Sequence, residues 1–254
     1  MCLIAWSWQP ESSTPLVLLS NRDEYYARPA APVHWWAPTS GGNEVLAGRD
    51  LQAGGTWLGV SHNGRLAALT NYRAGVQPDA LAPSRGDLVT GFLDGHMSAA
   101  AYVKKLARRA NTYNPFNLLV FDGKALMGLE SRDARIVQVQ PGIGGVSNAD
   151  FHTPWPKLMH LKHQLRLQLE ADEVSDAQLL LLLRDNGISP DSLLPQTGVP
   201  LAMERALSSI FVATPQYGTR ASSVIRLHDE HVDFSEQRFD ATGFDSATHL
   251  SFPL

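Results

Sequence analysis

One cysteine occurs in the chain, and it is residue 2. With Met1 removed, Cys2 would carry a thiol and a free α-amine on the same residue. An α-amine of ordinary pKa about 7.7–8.0 is a base near neutral pH, and it can take the proton of a thiol whose ordinary pKa is about 8.5. Nearby cations would favour the thiolate. The competing reading makes Cys2 a small buried hydrophobe in a strand, the common fate of a free cysteine.

A polar cluster, Asn21-Arg22-Asp23-Glu24, follows the apolar run Leu16 to Ser20. A strand end holds the backbone rigid while leaving side chains accessible, which suits a site. If Cys2–Trp8 and Leu16–Ser20 pair as a hairpin, the cluster returns to the level of Cys2. A solvated charge cluster closing a turn is the alternative. Asn71 and Asn148 each follow an apolar run, where an amide can donate to an oxyanion or simply form a turn. Arg220, in Tyr217-Gly218-Thr219-Arg220, can hold a carboxylate or thiolate, or lie at the surface. Trp57 and Tyr72 are candidates for the wall of a substrate groove, and Trp57 equally fits a core.

The elements that must position these residues segregate along the chain. Strands are expected at Cys2–Trp8, Leu16–Ser20, Glu44–Arg49, Thr56–Ser61 and Arg65–Asn71, with Asn63-Gly64 as a hairpin turn. Helical spacing follows around Leu88–Leu93 and over Ala99–Ala110. Strand character returns at Phe116–Phe121, Ala125–Leu129, Ala134–Gln138 and Gly142–Asn148. A second helical block opens at Thr153-Pro154-Trp155-Pro156, with Leu158, Leu161, Leu165 and Leu169 as its buried stripe. Ser175-Asp176-Ala177-Gln178 is a capping box for a further helix expected to stop at Asn186-Gly187. Ser189 to Glu204 reads as loop, and Ile210–Ala213, Ser222–Leu227 and Val232–Phe239 as closing strands. Two helical blocks can cover the outer faces of two stacked sheets, so the expected fold is α+β, a single-domain four-layer α/β/β/α sandwich of antiparallel sheets over residues 1–254.

Composition narrows the function classes. The chain has 254 residues, 44% hydrophobic and 18% charged, with a formal net charge of −4, so it reads as a globular protein with no basic excess for nucleic acid. A lone cysteine excludes intrachain disulfides and multi-cysteine metal sites. The N-terminus has no basic segment ahead of its short apolar run, so it is expected to be a strand and not a signal peptide. The longest leucine run, Leu179 to Leu183, is too short to span a bilayer. A cytoplasmic protein with no integral membrane segment is expected. His152, His160 and His163 share their region with Arg166 and read as a solvated face, so no metal is expected. Gly142-Ile143-Gly144-Gly145 has Ser147 where a dinucleotide fingerprint needs glycine, and no phosphate loop or nucleophile-elbow serine occurs. No cofactor is expected.

Six blocks carry a resemblance. Met1-Cys2, Asn21-Arg22-Asp23-Glu24, Gly54-Gly55-Thr56-Trp57-Leu58-Gly59, Leu69-Thr70-Asn71-Tyr72-Arg73, Ser147-Asn148 with Thr153-Pro154-Trp155-Pro156-Lys157, and Tyr217-Gly218-Thr219-Arg220 stand in one order from residue 1 to about 227. Together they resemble the NRDE family, also called the transport and Golgi organisation protein 2 family. That family is similar in fold to the N-terminal-nucleophile (Ntn) hydrolases that use cysteine, such as choloylglycine hydrolase and penicillin V acylase. The resemblance implies Cys2 as nucleophile and Asp23 as the acid that orients it. It places Asn71 and Asn148 around the oxyanion and the α-amine, and gives Arg220 the thiolate. Asn21, Arg22 and Glu24 would support the site. In the acylases the first arginine stands a few residues before the aspartate, whereas Arg22 adjoins Asp23, and adjacent strand residues face opposite sides. The implied reaction is attack on an amide or ester of a small acyl-bearing molecule through an acyl-cysteine intermediate. Animal members are linked to organelle organisation, lipid metabolism and haem movement, which implies a second reading: a carrier for a hydrophobic ligand such as a lipid, an acyl-CoA or haem.

Overall fold

The computed structural model describes residues 2–37, 41–73, 75, 77–171 and 174–254, so Met1 lies outside the described residues. Two antiparallel sheets stack face to face. The first runs in the order β10-β1-β2-β11-β12-β13, built from β1 (Cys2–Trp8), β2 (Leu16–Tyr25), β10 (Gly142–Val146), β11 (Tyr217–Leu227), β12 (His231–Asp240) and β13 (Gly243–Pro253). The second, β3 through β9 in sequence order, comprises β3 (Ala30–Trp36), β4 (Val45–Asp50), β5 (Leu58–Ser61), β6 (Leu66–Asn71), β7 (Phe116–Phe121), β8 (Leu126–Glu130) and β9 (Arg135–Gln138).

Side-chain alternation makes the layers. In β1 the even residues Ile4, Trp6 and Trp8 enter the core between the sheets, while Leu3 and Ala5 turn outward. In β2, Leu16 and Leu18 face inward and Val17 and Leu19 outward. The outward residues are covered by α3 (Pro156–Leu169) and α4 (Asp176–Leu182), through Leu158, Leu161, Leu165 and Leu179. The second sheet is covered by α1 (Gly86–Leu93) and α2 (Ala99–Ala107), through Leu88, Phe92, Val103 and Leu106. Each such fully buried side chain contributes about 1.5–3 kcal/mol. The expected α/β/β/α sandwich of antiparallel sheets is the architecture found.

Several boundaries differ from expectation. β2 runs on to Tyr25, so Asn21-Arg22-Asp23-Glu24 lies inside a strand and not beyond its end. Edge strands β3 and β13 were not anticipated. Ile210–Ala213 is a connector that buries Ile210 and Val212, and among the described residues its ladder contact is the Ala213–Gly218 bridge. α5 (Leu201–Ala206) begins inside the segment Ser189 to Glu204 read as loop, and α4 ends at Leu182, ahead of Asn186-Gly187. The capping box at Ser175 and Gln178 is formed. The Asn63-Gly64 hairpin joins β5 to β6, with Gly64 at φ +76°.

Candidate active site

The β1–β2 register sets Cys2 opposite Arg22, so the polar cluster does return to the level of the cysteine. Strand alternation then divides it. Arg22 shares the inter-sheet face with Cys2, whereas Asn21 and Asp23 face the α3–α4 layer. Beside Arg22 lies a cavity of about 450 Å³, walled by Cys2, Arg22, Asp23 and Glu24 on one side and by Asp50, Trp57, Leu69 and Asn71 on the other. Ser84, Arg85 and Gly86, at the start of α1, form part of its rim.

Arg22 is held from the second sheet. Its Nη2 donates to Asp50 Oδ2 at 3.1 Å, and its guanidinium lies 4.2 Å from the centre of the Trp57 ring. Its Nη1 is buried with no hydrogen-bond partner among the described residues. Arg28 Nε donates to the same Asp50 oxygen at 2.6 Å. Although burial opposes it, Arg28, the Ala53 N–H and Arg22 hold the Asp50 carboxyl below the usual carboxylate range. Trp57 is both groove wall and core residue. It packs against the hydrogen of Gly48, where a Cβ would fall 2.6 Å from the ring.

Cys2 is buried, and burial pushes its thiol up, with Asp23 adding to the rise and Arg22 opposing it. Burial thus favours the neutral thiol over the thiolate. Asp23, 1% exposed, accepts from Thr219 Oγ1 at 2.8 Å, and its backbone carbonyl accepts from Tyr217 Oη at 2.8 Å. Burial raises its carboxyl, and Lys157 is the strongest charge acting against that rise. Lys157 is itself fully enclosed, and its Nζ has no hydrogen-bond partner among the described residues. Burial lowers its pKa to about 8, against the pull of Asp23. Arg73 completes this outer polar layer. It donates to Glu204 Oε2 at 2.7 Å and lies 4.8 Å from the Trp155 ring centre.

Asn71 and Asn148 come together, with Asn148 Nδ2 donating to the Asn71 carbonyl at 2.8 Å. Asn71 lines the cavity, whereas Asn148 stands behind it. Asn21 serves the fold: its Nδ2 donates to the Leu183 and Ile210 carbonyls at 2.8 and 2.9 Å. Glu24 lines the cavity, 4.0 Å from Arg28. Tyr72 lies away from the cavity wall, its hydroxyl accepting from Arg132 at 2.9 Å.

Arg220 is not brought to Cys2. It is the extra residue of a bulge between Thr219 and Ala221, which turns its side chain toward the segment after β2. There its Nη1 donates to the carbonyls of Tyr25, Tyr26 and Arg28 at 2.9–3.1 Å, and its Nε to Phe239 O at 3.0 Å. Among the described residues, the cations whose charge acts on the thiol include Arg22, Arg85 and Lys157.

The family model described as Transport and Golgi organisation 2 matches residues 1–241. The chain belongs to this family. It is 37% identical to a Transport and Golgi organization protein 2 homolog of Bos taurus, over 98% of each chain. With the Homo sapiens homolog it is 35% identical, over 93% of this chain and 92% of that one. Among solved structures, a variant of conjugated bile acid hydrolase from Clostridium perfringens aligns over 100% of this chain and 96% of that chain, with a TM-score of 0.52 and 9% identity. That likeness is one of fold: this Transport and Golgi organisation 2 family member has the four-layer sandwich of the Ntn hydrolases. Among the described residues, no helix is long and apolar enough to cross a membrane.

The charged residues of this family member that sequence reasoning did not single out include Lys157, Arg85, Asp50, Arg28 and Arg73. Lys157 closes the Thr153–Lys157 block, and a lysine amid Trp155, Pro156 and Leu158 was the available signal. Asp50 and Arg85 join the site only through the packing of the second sheet and α1 against β2, which no local spacing reveals.

Proposed function

We propose that this chain is a cysteine Ntn hydrolase-like protein that cleaves an amide or ester of a small acyl-bearing molecule after Met1 removal. The observation that supports it best is the pairing of Cys2 with Arg22 in the cavity wall, with a guanidinium N–H that has no hydrogen-bond partner among the described residues. In the proposed reaction the Cys2 thiol proton passes to the α-amine as Sγ bonds to the carbonyl carbon. The carbonyl oxygen becomes an oxyanion near the Arg22 guanidinium and the Asn71 amide. Collapse breaks the C–N or C–O bond, and the ammonium returns the proton to the leaving group. Water then gives a proton to the amine and adds to the thioester, releasing a carboxylic acid and the restored thiol. Asp23 orients the amine, Lys157 keeps it unprotonated, and Asn148 fixes the Asn71 backbone.

A carrier of hydrophobic molecules calls for an apolar chamber. Here Arg22, Glu24, Arg28, Asp50 and Arg85 line the space, which favours a substrate with polar groups. Intact-mass measurement and labelling with an activated acyl ester test the proposal together. The expected result is a chain lacking Met1 that gains one acyl group, with the Cys2→Ala variant gaining none. A purified chain that retains Met1, or equal labelling of the variant, overturns it.

A further inference from the structure

The rim of the cavity carries a cation that no carboxylate answers. Arg85 stands just ahead of α1, and two glycines bring it there. At Gly55 a Cβ would fall 2.6 Å from the Gly86 carbonyl carbon, and at Gly86 one would fall 3.1 Å from the Thr56 nitrogen. The chain entering α1 therefore lies backbone to backbone against the Gly54-Gly55-Thr56-Trp57 segment, which sets Arg85 at the cavity. The side chain is half-buried, and its Nη1 donates to the Pro115 carbonyl at 3.0 Å. That bond fixes one end of the guanidinium and leaves the Nε–Nη2 edge without a hydrogen-bond partner among the described residues. The cavity's other charges are matched. Asp50 takes Arg22 and Arg28 at 3.1 and 2.6 Å, while Glu24 lies 4.0 Å from Arg28 and accepts from the Tyr25 N–H at 2.8 Å. Among the described residues no carboxylate oxygen comes within 4.0 Å of the Arg85 nitrogens, and Glu24 acts on it only from farther off.

We propose that the Nε–Nη2 edge of Arg85 binds a carboxylate of the substrate, so that the cavity takes small acyl amides or esters bearing one free carboxylate. The assignment rests on the hydrolase reading for the reaction at Cys2 and names the substrate class that reaches it. Two parallel N–H groups on one guanidinium edge match the two oxygens of a carboxylate. A charge drawn partly out of water without a partner costs free energy, which a bound anion offsets. One uncompensated cation answers a monoanion, and a carboxylate fits it better than a dianionic phosphate. Cys2 and Arg85 line the same cavity, near enough for their charges to act on each other, so a short chain can reach both. The cavity of about 450 Å³ lies toward the small end of the range of about 300–1,000 Å³ for small-ligand sites, which suits a short diacid derivative.

Binding is measured by calorimetry in the full chain carrying Cys2→Ala, which has no thiol to turn a ligand over. The probes are the monoamides of succinic, glutaric and adipic acid, each beside its neutral diamide. At least one monoamide is expected to bind about tenfold or more tightly than its diamide at neutral pH, as charge-assisted bonds provide. Added salt should narrow the gap. Arg85→Gln keeps a donor for Pro115 and should bring the two probes within about twofold, whereas Arg85→Lys keeps the charge without the fork and should retain part of the preference. In the parent, mono-activated esters of the same acids should acylate Cys2 faster than their methyl-capped counterparts. Equal binding of monoamide and diamide for all three acids, or a preference undiminished in Arg85→Gln, overturns the assignment. A preference that depends on Arg85, with no acylation of Cys2 by any ester, supports the carboxylate site and overturns the hydrolase reading alone.

Discussion

Arg22 faces Cys2 across the β1–β2 ladder, and its guanidinium is clamped between the Asp50 carboxylate and the Trp57 ring. One sheet therefore supplies the thiol and the cation, and the other fixes the cation's direction. Burial, with Asp23 adding to it, drives the thiol toward its neutral form, and Arg22 works against that drift.

Replacing Arg22 by Met removes this cation while Arg28 still pairs with Asp50. Alkylation of Cys2 at neutral pH is expected to slow, because the loss of Arg22 leaves burial and Asp23 less opposed in raising the thiol. Because Arg28 keeps Asp50 paired, stability should fall by only about 1 kcal/mol, the cost of one lost hydrogen bond. Arg22→Lys restores charge without the planar stack and should recover part of the rate only. Iodoacetamide kinetics and urea melts read both; an unchanged alkylation rate in Arg22→Met would contradict the pairing's electrostatic role.

Lys157 is expected to set the working pH of the proposed base. A nearby cation disfavours a protonated amine and so lowers its pKa. Lys157→Met removes that cation, so the acid limb of the acylation profile should move to higher pH. At neutral pH the variant should label more slowly by on the order of tenfold, and above about pH 9 the two rates should converge. A loss that is equal at every pH would mean that Lys157 only supports the fold.

What the sequence disclosed depended on whether the information was local. The Asn63-Gly64 turn, the Ser175 capping box and the alternation in β1 are written in adjacent residues, and the two-helix, two-sheet layering follows from their order. β3 and β13 escaped notice because edge strands bury little. β3 alternates poorly and includes Pro32, and most of β13 is exposed. The site divides the same way. Cys2 and Arg22 could be brought level by a hairpin argument, but the bulge that turns Arg220 away adds one residue to a single strand and leaves no compositional mark. Arg85 and Asp50 reach the cavity through contacts between layers.

Arg220 is expected to matter to the fold more than to the thiol. It braces the carbonyl of Tyr25 at the end of β2, two more in the segment that follows, and one of β12. Arg220→Met leaves these acceptors short of a charged donor and should cost about 2–3 kcal/mol. Cys2 alkylation in the still-folded fraction should stay within about twofold of the parent, as for sites that share no partner. A large loss of thiol reactivity without a change in melting temperature would reverse the assignment and restore the role that the family resemblance implied.

Glu236 predicts a pH signature of stability. It is 2% exposed between the sheets and accepts from the Val33 N–H at 3.0 Å. Burial raises its pKa from 4.5 to about 7, against the pull of that N–H, Arg238 and Arg22. Below 4.5 the carboxyl is protonated whether the chain is folded or not, so it costs nothing. Between 4.5 and about 7 the unfolded chain releases the proton while the folded chain keeps it, so stability falls as pH rises. Above that window the cost levels off at about 3 kcal/mol. Glu236→Gln keeps the acceptor for Val33 and cannot ionise. Its stability relative to the parent should therefore climb across this window and stay flat beyond it. Urea melts at about pH 4, 6 and 8 measure the difference. A difference that does not change with pH would show that the carboxyl ionises alike in both states, and that the Val33 bond and the neighbouring arginines offset its burial.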